Sequence, residues 1–295
     1  MKRILALLLC LLFAAPALAQ ASYEEAVLLY EDKDYKGARE IAAAAAKKGD
    51  VRAMAMLGLF YQKGLGVDAD LNKAVDWYAQ AGEKGDVGAQ YSLAEIYLDG
   101  TLGEADTDRG RYWLIKAADH GKPEAQHRLG LLAAGETPPD WREAVEWFGK
   151  AAAQDYADSQ YNLGVLYAEG KGVEPSKIKA GEWFAKAAMK GHRDAALDYG
   201  IMVFRGDGVK KDEKVGAEWL LVSAKRGNPV AQNRVARLYA AGRIFGADPV
   251  EAVKWHILAR QGGRSDAWLD DFIARLPPAT QEEGRTRAQS FKPDS

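Results

Sequence analysis

The feature that most constrains the fold of this chain is a tryptophan that recurs at a nearly constant interval. Successive members of the series are separated by 36, 36, 34, 36 and 36 residues. The series consists of Trp77, Trp113, Trp147, Trp183, Trp219 and Trp255. A constant interval of this length is typical of proteins built from repeated supersecondary units, so the chain is predicted to be an array of similar units.

Each unit is predicted to be a helical hairpin. The first segment opens with a small residue and continues at intervals of four, as in Ala89, Leu93 and Tyr97, which share one face of a helix. The tryptophan lies in the second segment, and another small residue follows it by four positions. Between the segments lies a glycine-rich turn, as in Gly170-Lys171-Gly172-Val173, where glycine adopts the positive φ that ends a helix.

The tryptophan is predicted to fill the space between the two helices, while the small residues allow those helices to approach closely. The opening residues of the units are Ala53, Ala89, Ala125, Ser159, Ala195 and Ala231. Because one hairpin cannot bury both of its faces, the units must stack on one another. The predicted fold class is therefore all-α, an α/α superhelix or solenoid of stacked helical hairpins, and the six tryptophans are assigned a structural role.

One unit carries a pattern that resembles a known family. It reads Ser-Gln-Tyr-Asn-Leu-Gly-Val-Leu-Tyr-x-x-Gly-x-Gly-Val from Ser159 to Val173, and Ala180, Trp183, Ala187 and Gly191 follow at set positions. This pattern closely resembles the Sel-one-like repeat, a relative of the tetratricopeptide repeat, and the resemblance covers residues 50–263. It implies a tetratricopeptide-like scaffold for protein partners, frequently in bacterial envelope signalling or in contact with other cells.

The repeat frame divides the chain into four regions. Residues 1–19 are predicted to be a signal peptide, and residues 20–49 a divergent hairpin that caps the array, since Ser22-Tyr23-Glu24-Glu25 is a capping box. Residues 264–295 are predicted to form capping helices and a tail, with a last short helix capped at Thr280 and fraying from Phe291. Between these regions lie six repeats, at residues 50–85, 86–121, 122–155, 156–191, 192–227 and 228–263.

The third repeat departs from the frame. It is two residues shorter than its neighbours, and the segment from Gly135 to Trp141, which includes Pro138 and Pro139, replaces the glycine-rich turn. The prolines are expected to define how the chain enters the second helix. Two interpretations of Trp141 remain open: it covers the shortened turn, or it contacts a partner.

The first residues are typical of a secretory signal peptide. Met1-Lys2-Arg3 precedes an apolar run from Ile4 to Ala15, and Ala17-Leu18-Ala19 offers a cleavage site after Ala19. The run is shorter than the ~20 residues of a membrane-spanning helix. Cleavage would also remove Cys10, the single cysteine, so the mature chain would have no thiol nucleophile or thiolate metal ligand. We expect a periplasmic protein that is not embedded in the membrane, the alternative being a secreted protein that interacts with a host.

The charge balance restricts the class of partner. Cleavage would leave 38 basic and 42 acidic residues, a net formal charge of −4. Nucleic acids and anionic membranes require a basic face, so neither is expected as the main partner. The composition, with 28% charged and 48% hydrophobic residues, indicates a folded chain and not a disordered one.

No group of residues predicts catalysis, a cofactor or a metal site. The Gly-x-Gly turns follow helices and lack the Gly-Lys-Ser/Thr ending of a phosphate loop. Asp68, Asp70 and Asn72 have the spacing that begins a calcium loop, but the glycine and glutamate that complete one are missing. The histidines are interpreted as helix-end or surface residues, namely His120, His127, His192 and His256. The chain is predicted not to be an enzyme, the alternative being a hydrolase of cell-wall material.

The resemblance also indicates where a partner would bind. If tetratricopeptide geometry carries over, the concave wall consists of first-helix residues two, six, nine and ten positions after the opening residue. The candidate partner-binding residues are Tyr91, Glu95, His127, Leu131, Tyr161, Val165, Leu197, Ile201, Phe204, Arg205 and Arg237. Aromatic and aliphatic side chains beside a few charges suit a peptide or helix of an envelope protein. The chain itself is expected to be a monomer. The alternative is that these side chains pack against the next repeat.

Overall fold

A computed structural model of the chain describes residues 22–294. The predicted signal peptide, residues 1–19, lies outside the described residues. Within residues 22–294 there are sixteen α-helices and no strand, which confirms the predicted all-α fold. None of these helices combines the length and the apolar character needed to cross a membrane. The chain divides into two compact units, one ending at Ala125 and the other beginning at Gln126.

The first unit consists of three helical hairpins stacked in chain order. The hairpins are α1 (Tyr23–Glu31) with α2 (Tyr35–Lys47), α3 (Val51–Lys63) with α4 (Leu71–Glu83), and α5 (Val87–Leu98) with α6 (Thr107–Asp119). Helix α2 packs on α3, and α4 packs on α5, so each hairpin contacts the next through its second helix. The hydroxyl of Ser22 accepts a hydrogen bond from the backbone N–H of Glu25 at 3.2 Å, as expected for the cap of α1.

The second unit begins within α7 and repeats this arrangement. Each helix from α8 to α14 packs on the next one, and α16 packs on α14. Consecutive helix pairs therefore pack as in a solenoid. The helices are α7 (Pro123–Gly135), α8 (Trp141–Ala152), α9 (Ala157–Glu169), α10 (Lys177–Met189), α11 (Arg193–Arg205), α12 (Glu213–Lys225), α13 (Pro229–Ala240), α14 (Pro249–Gln261), α15 (Ala267–Ala274) and α16 (Pro278–Gln289).

In three glycine-rich turns, those with Gly66, Gly172 and Gly208, the second glycine packs against the hairpin before it. Gly206 ends α11 in the left-handed conformation with φ 76°, and Gly208 also has a positive φ, of 77°. Gly208 lies against the start of α10, where an added Cβ would come within 2.6 Å of the Cβ of Lys177. Gly172 lies in the same way against the backbone of Trp141 at the start of α8. The second glycine of the turn is therefore required by repeat stacking as well as by backbone conformation.

A buried glutamine ties first helices to the helix that precedes them. Nε2 of Gln160 in α9 donates a hydrogen bond to the backbone carbonyl oxygen of Ala152 in α8 at 3.2 Å. Gln90 in α5 donates in the same way to the carbonyl oxygen of Gly82 in α4 at 2.8 Å. The carbonyl groups in the last turn of a helix have no partner within that helix. The glutamines satisfy two of them and hold successive hairpins in register.

In four of the six repeats the residue after the tryptophan is buried and the tryptophan itself is only half-buried, which differs from the sequence prediction. Trp113 and Trp255 are buried, but the other four tryptophans are only half-buried. In the fourth repeat the Phe184 ring covers Gly164 of α9, where an added Cβ would lie 2.5 Å from the ring. The side chains that follow the tryptophans are at most 5% exposed, namely Tyr78, Leu114, Phe148, Phe184, Leu220 and His256. In the four repeats with a half-buried tryptophan, that ring therefore borders the packed interface and the residue after it occupies the centre.

The C-terminal end is more ordered than the sequence suggests. The last helix was expected to be short and capped at Thr280, but α16 begins at Pro278 and extends over 12 residues. The expected fraying from Phe291 is also wrong, since its ring packs edge-on against Trp255 with centroids 5.4 Å apart. The backbone N–H of Asp294 donates to the carbonyl oxygen of Lys225 at 2.9 Å. The tail returns to the last repeats because the apolar ring gains burial there.

Candidate binding surface

Two predicted partner-binding residues lie in the first unit, on α5. Tyr91 and Glu95 are four positions apart, so they share one face of the helix, and both are half-buried. The ammonium group of Lys122 lies 5.1 Å from the centre of the Tyr91 ring, in a cation–π contact. This face of α5 therefore combines an aromatic ring with charges of both signs.

In the second unit, the residues two positions after the opening residue pack against the following repeat. Nδ1 of His127 lies 2.8 Å from the hydroxyl of Ser159, and burial lowers the pKa of His127. The ring of Tyr161 stacks on His192 with centroids 4.4 Å apart, and burial raises the pKa of Tyr161 to about 12. Leu197, at the same frame position, packs on the core of the last repeats. Packing between repeats therefore explains the side chains at this position, and no bound partner is needed to account for them.

Leu131 and Val165 line an open cavity of about 250 Å³ with mostly apolar walls. Trp141 and Leu166 also line it, and the ammonium group of Lys171 lies 4.7 Å from the centre of the Trp141 ring. The additional tryptophan of the shortened turn therefore shares a cavity with two of the predicted residues. In these two repeats the position six residues in thus faces open space, unlike the position two residues in.

Four predicted residues meet at a second cavity, of about 200 Å³. Ile201 and Phe204 of α11 form part of its apolar wall, together with Leu220 of α12 and Leu238 of α13. Arginines complete the lining, namely Arg205, Arg234, Arg237 and Arg243. The structure therefore brings together aliphatic, aromatic and cationic groups from three consecutive helices.

Arg237 is held in place by a carboxylate from the C-terminal cap. Its Nε donates to Oδ2 of Asp266 at 2.6 Å, and Nη2 donates to Oδ1 at 2.8 Å. Asn233, one turn earlier on α13, donates to the same Oδ2 at 2.8 Å. The hydrogen bonds from Arg237 hold the pKa of Asp266 below the ordinary range for an aspartate. The planar guanidinium is thus oriented by a two-point contact, which fixes one edge of the cavity.

The sequence interpretation missed three arginines of this region, Arg234, Arg243 and Arg264. Arg234 and Arg243 line the second cavity, and Arg264 lines an adjoining one that also includes Arg234 and Arg237. A local imbalance of charge was the signal that would have found them. From residue 226 to residue 264 the chain has seven basic residues, six of them arginine, against two acidic ones, although its net charge is −2.

The histidines were predicted to lie at helix ends or on the surface, and the structure confirms this for two of them and contradicts it for His256. His120 and His192 lie at helix ends, and Nδ1 of His192 accepts a hydrogen bond from the backbone N–H of Ala195 at 3.1 Å. His256 was expected at a helix end or on the surface, but it is buried within α14, with Nε2 2.7 Å from Asp270. It occupies the buried position that follows the tryptophan. Within residues 22–294 no group of three or more potential ligand side chains could hold a metal ion.

Comparison with protein families matches most of the chain to one repeat. The family model described as Sel1 repeat matches six consecutive segments, residues 51–86, 87–122, 123–156, 157–192, 193–228 and 229–263. No curated protein sequence matches the chain significantly.

Solved structures with the same architecture also resemble the chain. A protective antigen of uropathogenic Escherichia coli strains, c5321, displays an SLR fold and aligns with a TM-score of 0.78 and 25% identity over 93% of this chain. The chain covers only 61% of that protein. A Sel1 repeat protein from Oxalobacter formigenes aligns with a TM-score of 0.70 and 28% identity, over 82% of this chain and 100% of the other.

Proposed function

Because the chain belongs to the Sel1 repeat family, we propose that it is a non-catalytic scaffold that binds a partner protein through first-helix side chains of its repeats. Proteins with Sel1 repeats generally mediate protein interactions, and the fold is typically a non-catalytic scaffold. One observation carries the proposal for this chain. Ile201, Phe204, Arg205 and Arg237, chosen from their frame positions alone, line one cavity of the second unit.

The cavity has the composition of a protein-binding surface. Binding energy in protein interfaces is concentrated in apolar anchors that fill a pocket, with arginine among the enriched residues. Ile201 and Phe204 are half-buried and border the open cavity, so a partner side chain placed there would cover apolar surface that is now in contact with water. Arg205 is exposed at the end of α11 and can approach a partner without rearrangement.

We also propose that the partner is a protein of the bacterial cell envelope and that this chain is exported to the periplasm. The support is the order of features at the N-terminus, a basic start, an apolar run and a small-x-small motif ending at Ala19. A cysteine-free mature chain suits this location, because its stability would not depend on the redox state of the compartment.

A site-specific crosslink in living cells tests the proposed surface. A photoreactive amino acid is placed at Arg205 beside the cavity, and in a control chain at Glu218, which is exposed on the second helix α12. We expect an adduct of discrete mass from position 205 and none of that mass from position 218, with the partner identified by mass spectrometry. Equal adducts from both positions, or no discrete adduct from position 205, would contradict the proposed surface.

A further inference from the structure

We propose that the second unit carries a binding site for an acidic peptide segment, which places one large apolar side chain in the Ile201–Phe204 cavity and its carboxylates against Arg205, Arg234 and Arg264. This inference rests on the proposed function and specifies the chemistry of the partner. The arginine cluster is defined as Arg205, Arg234, Arg237, Arg243 and Arg264.

The members of the cluster differ in whether their charge is already neutralised. Arg237 is paired with Asp266 at 2.6 Å, and Arg243 is paired with Glu213 at 2.8 Å. Arg205, Arg234 and Arg264 form no side-chain hydrogen bond or ion pair with any residue in the described range 22–294. Three guanidinium groups on one surface therefore have fork-shaped donor sets that a ligand carboxylate can accept.

Arg234 lies at the centre of the cluster and is the least solvated of the three. It lines both adjoining cavities, and its Nε is buried without a hydrogen-bond partner. Burial lowers the pKa of Arg234, and the positive charges of Arg205 and Arg264 lower it further, while Asp198 is the acid that opposes them. A partly desolvated cation beside two like charges is unfavourable in the free protein, and an anionic ligand would relieve that cost.

The apolar part of the site limits the size of what it accepts. The cavity lined by Ile201, Phe204, Leu220 and Leu238 has a volume of about 200 Å³. That is below the roughly 300–1,000 Å³ of pockets that bind drug-sized ligands, so it suits a single large aliphatic or aromatic side chain. The adjoining cavity is lined in part by Arg264 and by Trp268, a residue that is 48% exposed, so the surface continues beyond the pocket.

A peptide fits these features better than nucleic acid or an anionic membrane. Single-stranded nucleic acids bind on platforms of stacked aromatic rings, whereas the apolar wall of this cavity has one aromatic ring, Phe204, beside three branched aliphatic side chains. Three acids, Asp198, Asp266 and Glu213, lie among the five arginines, which leaves a local excess of about two positive charges. A compact charge excess of this size, on a chain with a net charge of −2, matches a few carboxylates and not an extended polyanion.

Selection from a displayed library of random decapeptides on the purified full chain tests this proposal. We expect the selected peptides to contain a large apolar residue with Asp or Glu on both sides. A synthetic peptide of that consensus is then titrated by fluorescence anisotropy at low and high salt. The same peptide with serine in place of its apolar residue should bind at least roughly ten-fold more weakly, because the cavity would remain unfilled.

Matched arginine variants separate the site from general charge effects. Arg205→Gln with Arg264→Gln removes two exposed charges of the cluster, and Arg142→Gln with Arg275→Gln removes two exposed charges elsewhere in the second unit. We expect the first pair to weaken peptide binding roughly ten-fold and to reduce its salt dependence, and the second pair to change affinity less than about two-fold. Thermal unfolding of both variants should match that of the unmodified chain, because all four side chains are exposed.

Several results would overturn the inference. These are selected peptides without an acidic bias, equal loss of affinity in both double variants, or tighter arginine-dependent binding of phosphatidylglycerol vesicles or of a single-stranded oligonucleotide. If a crosslink at position 205 captures a partner while the acidic peptides fail, the scaffold proposal stands and the acidic specificity is wrong. If that crosslink fails as well, both proposals are wrong.

Discussion

The stacking of Phe184 on Gly164 makes a quantitative prediction about the core of each hairpin. A Cβ added to Gly164 would lie 2.5 Å from a ring carbon of Phe184, a distance that forces the ring or a helix to move. Such overpacking costs about 1–3 kcal/mol. Replacing glycine by alanine within a helix contributes about 1 kcal/mol in the opposite sense. Gly164→Ala should therefore be neutral or destabilising by up to about 2 kcal/mol, in spite of the better helix former.

Gly149 in the interior of α8 provides the matched control. A Cβ added there would meet no atom within 4 Å, so Gly149→Ala gains helix propensity without a clash and should stabilise the chain by about 0.5–1 kcal/mol. Because the propensity gain is common to both substitutions, the difference between them isolates the overpacking cost, about 1–3 kcal/mol. Adding Phe184→Leu to Gly164→Ala should recover part of the loss.

Other repeats of the chain already pair alanine at this frame position with a residue other than Phe or Tyr after the tryptophan. Glycine stands opposite an aromatic ring in three repeats, which contain the pairs Gly58 with Tyr78, Gly130 with Phe148, and Gly164 with Phe184. Two repeats have alanine at this frame position, Ala94 and Ala236, and there the residue after the tryptophan is Leu114 or His256. Gly200 is the exception, and a Cβ added to it would lie 3.0 Å from backbone atoms of Gly216 and Leu220 in α12.

Urea unfolding followed by far-UV circular dichroism measures these differences. Midpoints should be compared within the set of variants, because arrays of repeats can unfold in more than one step. The expected order of stability is Gly149→Ala, then the unmodified chain, then Gly164→Ala. If Gly164→Ala stabilises the chain as much as Gly149→Ala does, the aromatic ring does not require the glycine and the assignment of the buried position is wrong.

Three further predictions concern the ends of the chain. Since Arg237 lowers the pKa of Asp266, the stability from this pair is present above the unfolded pKa of about 3.9 and is lost as the pH falls through the lower folded pKa. Asp266→Asn should therefore lower the melting temperature at pH 6. Below about pH 4 the melting temperature of this variant should fall less steeply than that of the unmodified chain. Phe291→Ala should destabilise the chain by about 1 kcal/mol, because the half-buried ring leaves Trp255, and tryptophan fluorescence should report the loss. N-terminal sequencing of the protein from the periplasmic fraction should begin at Gln20, as the small-x-small motif predicts.

Controls for these predictions lie close to the sites they test. Asp271 is exposed on α15, so the melting temperature of Asp271→Asn should nearly equal that of the unmodified chain at every pH from 6 to 3. Lys292 is exposed beside Phe291, and Lys292→Ala should not alter tryptophan fluorescence. A pH profile that is unaffected by Asp266→Asn, an inert Phe291→Ala, or an intact N-terminus in the cell would each contradict the corresponding prediction.

Much of the fold was predictable because the information is local and repeated. The tryptophan interval defined the number of repeats, and the glycine-rich turns such as Gly206 to Gly208 marked where each helix ends. The frame also selected Ile201, Phe204, Arg205 and Arg237, which line one cavity. In a repeat array each unit contacts mainly its neighbours, so the same short pattern recurs wherever the same contact is made.

Predictions that depended on the rotation of a helix were less reliable. The sequence assigned the buried position to Trp183, whereas the structure buries Phe184 on Gly164. Adjacent residues on a helix differ by only about 100° in direction, so both can belong to the apolar stripe that faces the core. The packing of the two helices decides which one reaches the centre, and the same choice buries His256.

The sequence by itself therefore determined that this chain is a Sel1 repeat array of stacked hairpins and where those hairpins begin and end. Only the tertiary structure decided which side chains meet across repeats. Arg205, Arg234 and Arg264 are about thirty residues apart in successive elements, and they converge because stacking places one repeat beside the next. Whether such charges are neutralised, as for Arg237 with Asp266, depends on a partner from another helix that no local pattern specifies.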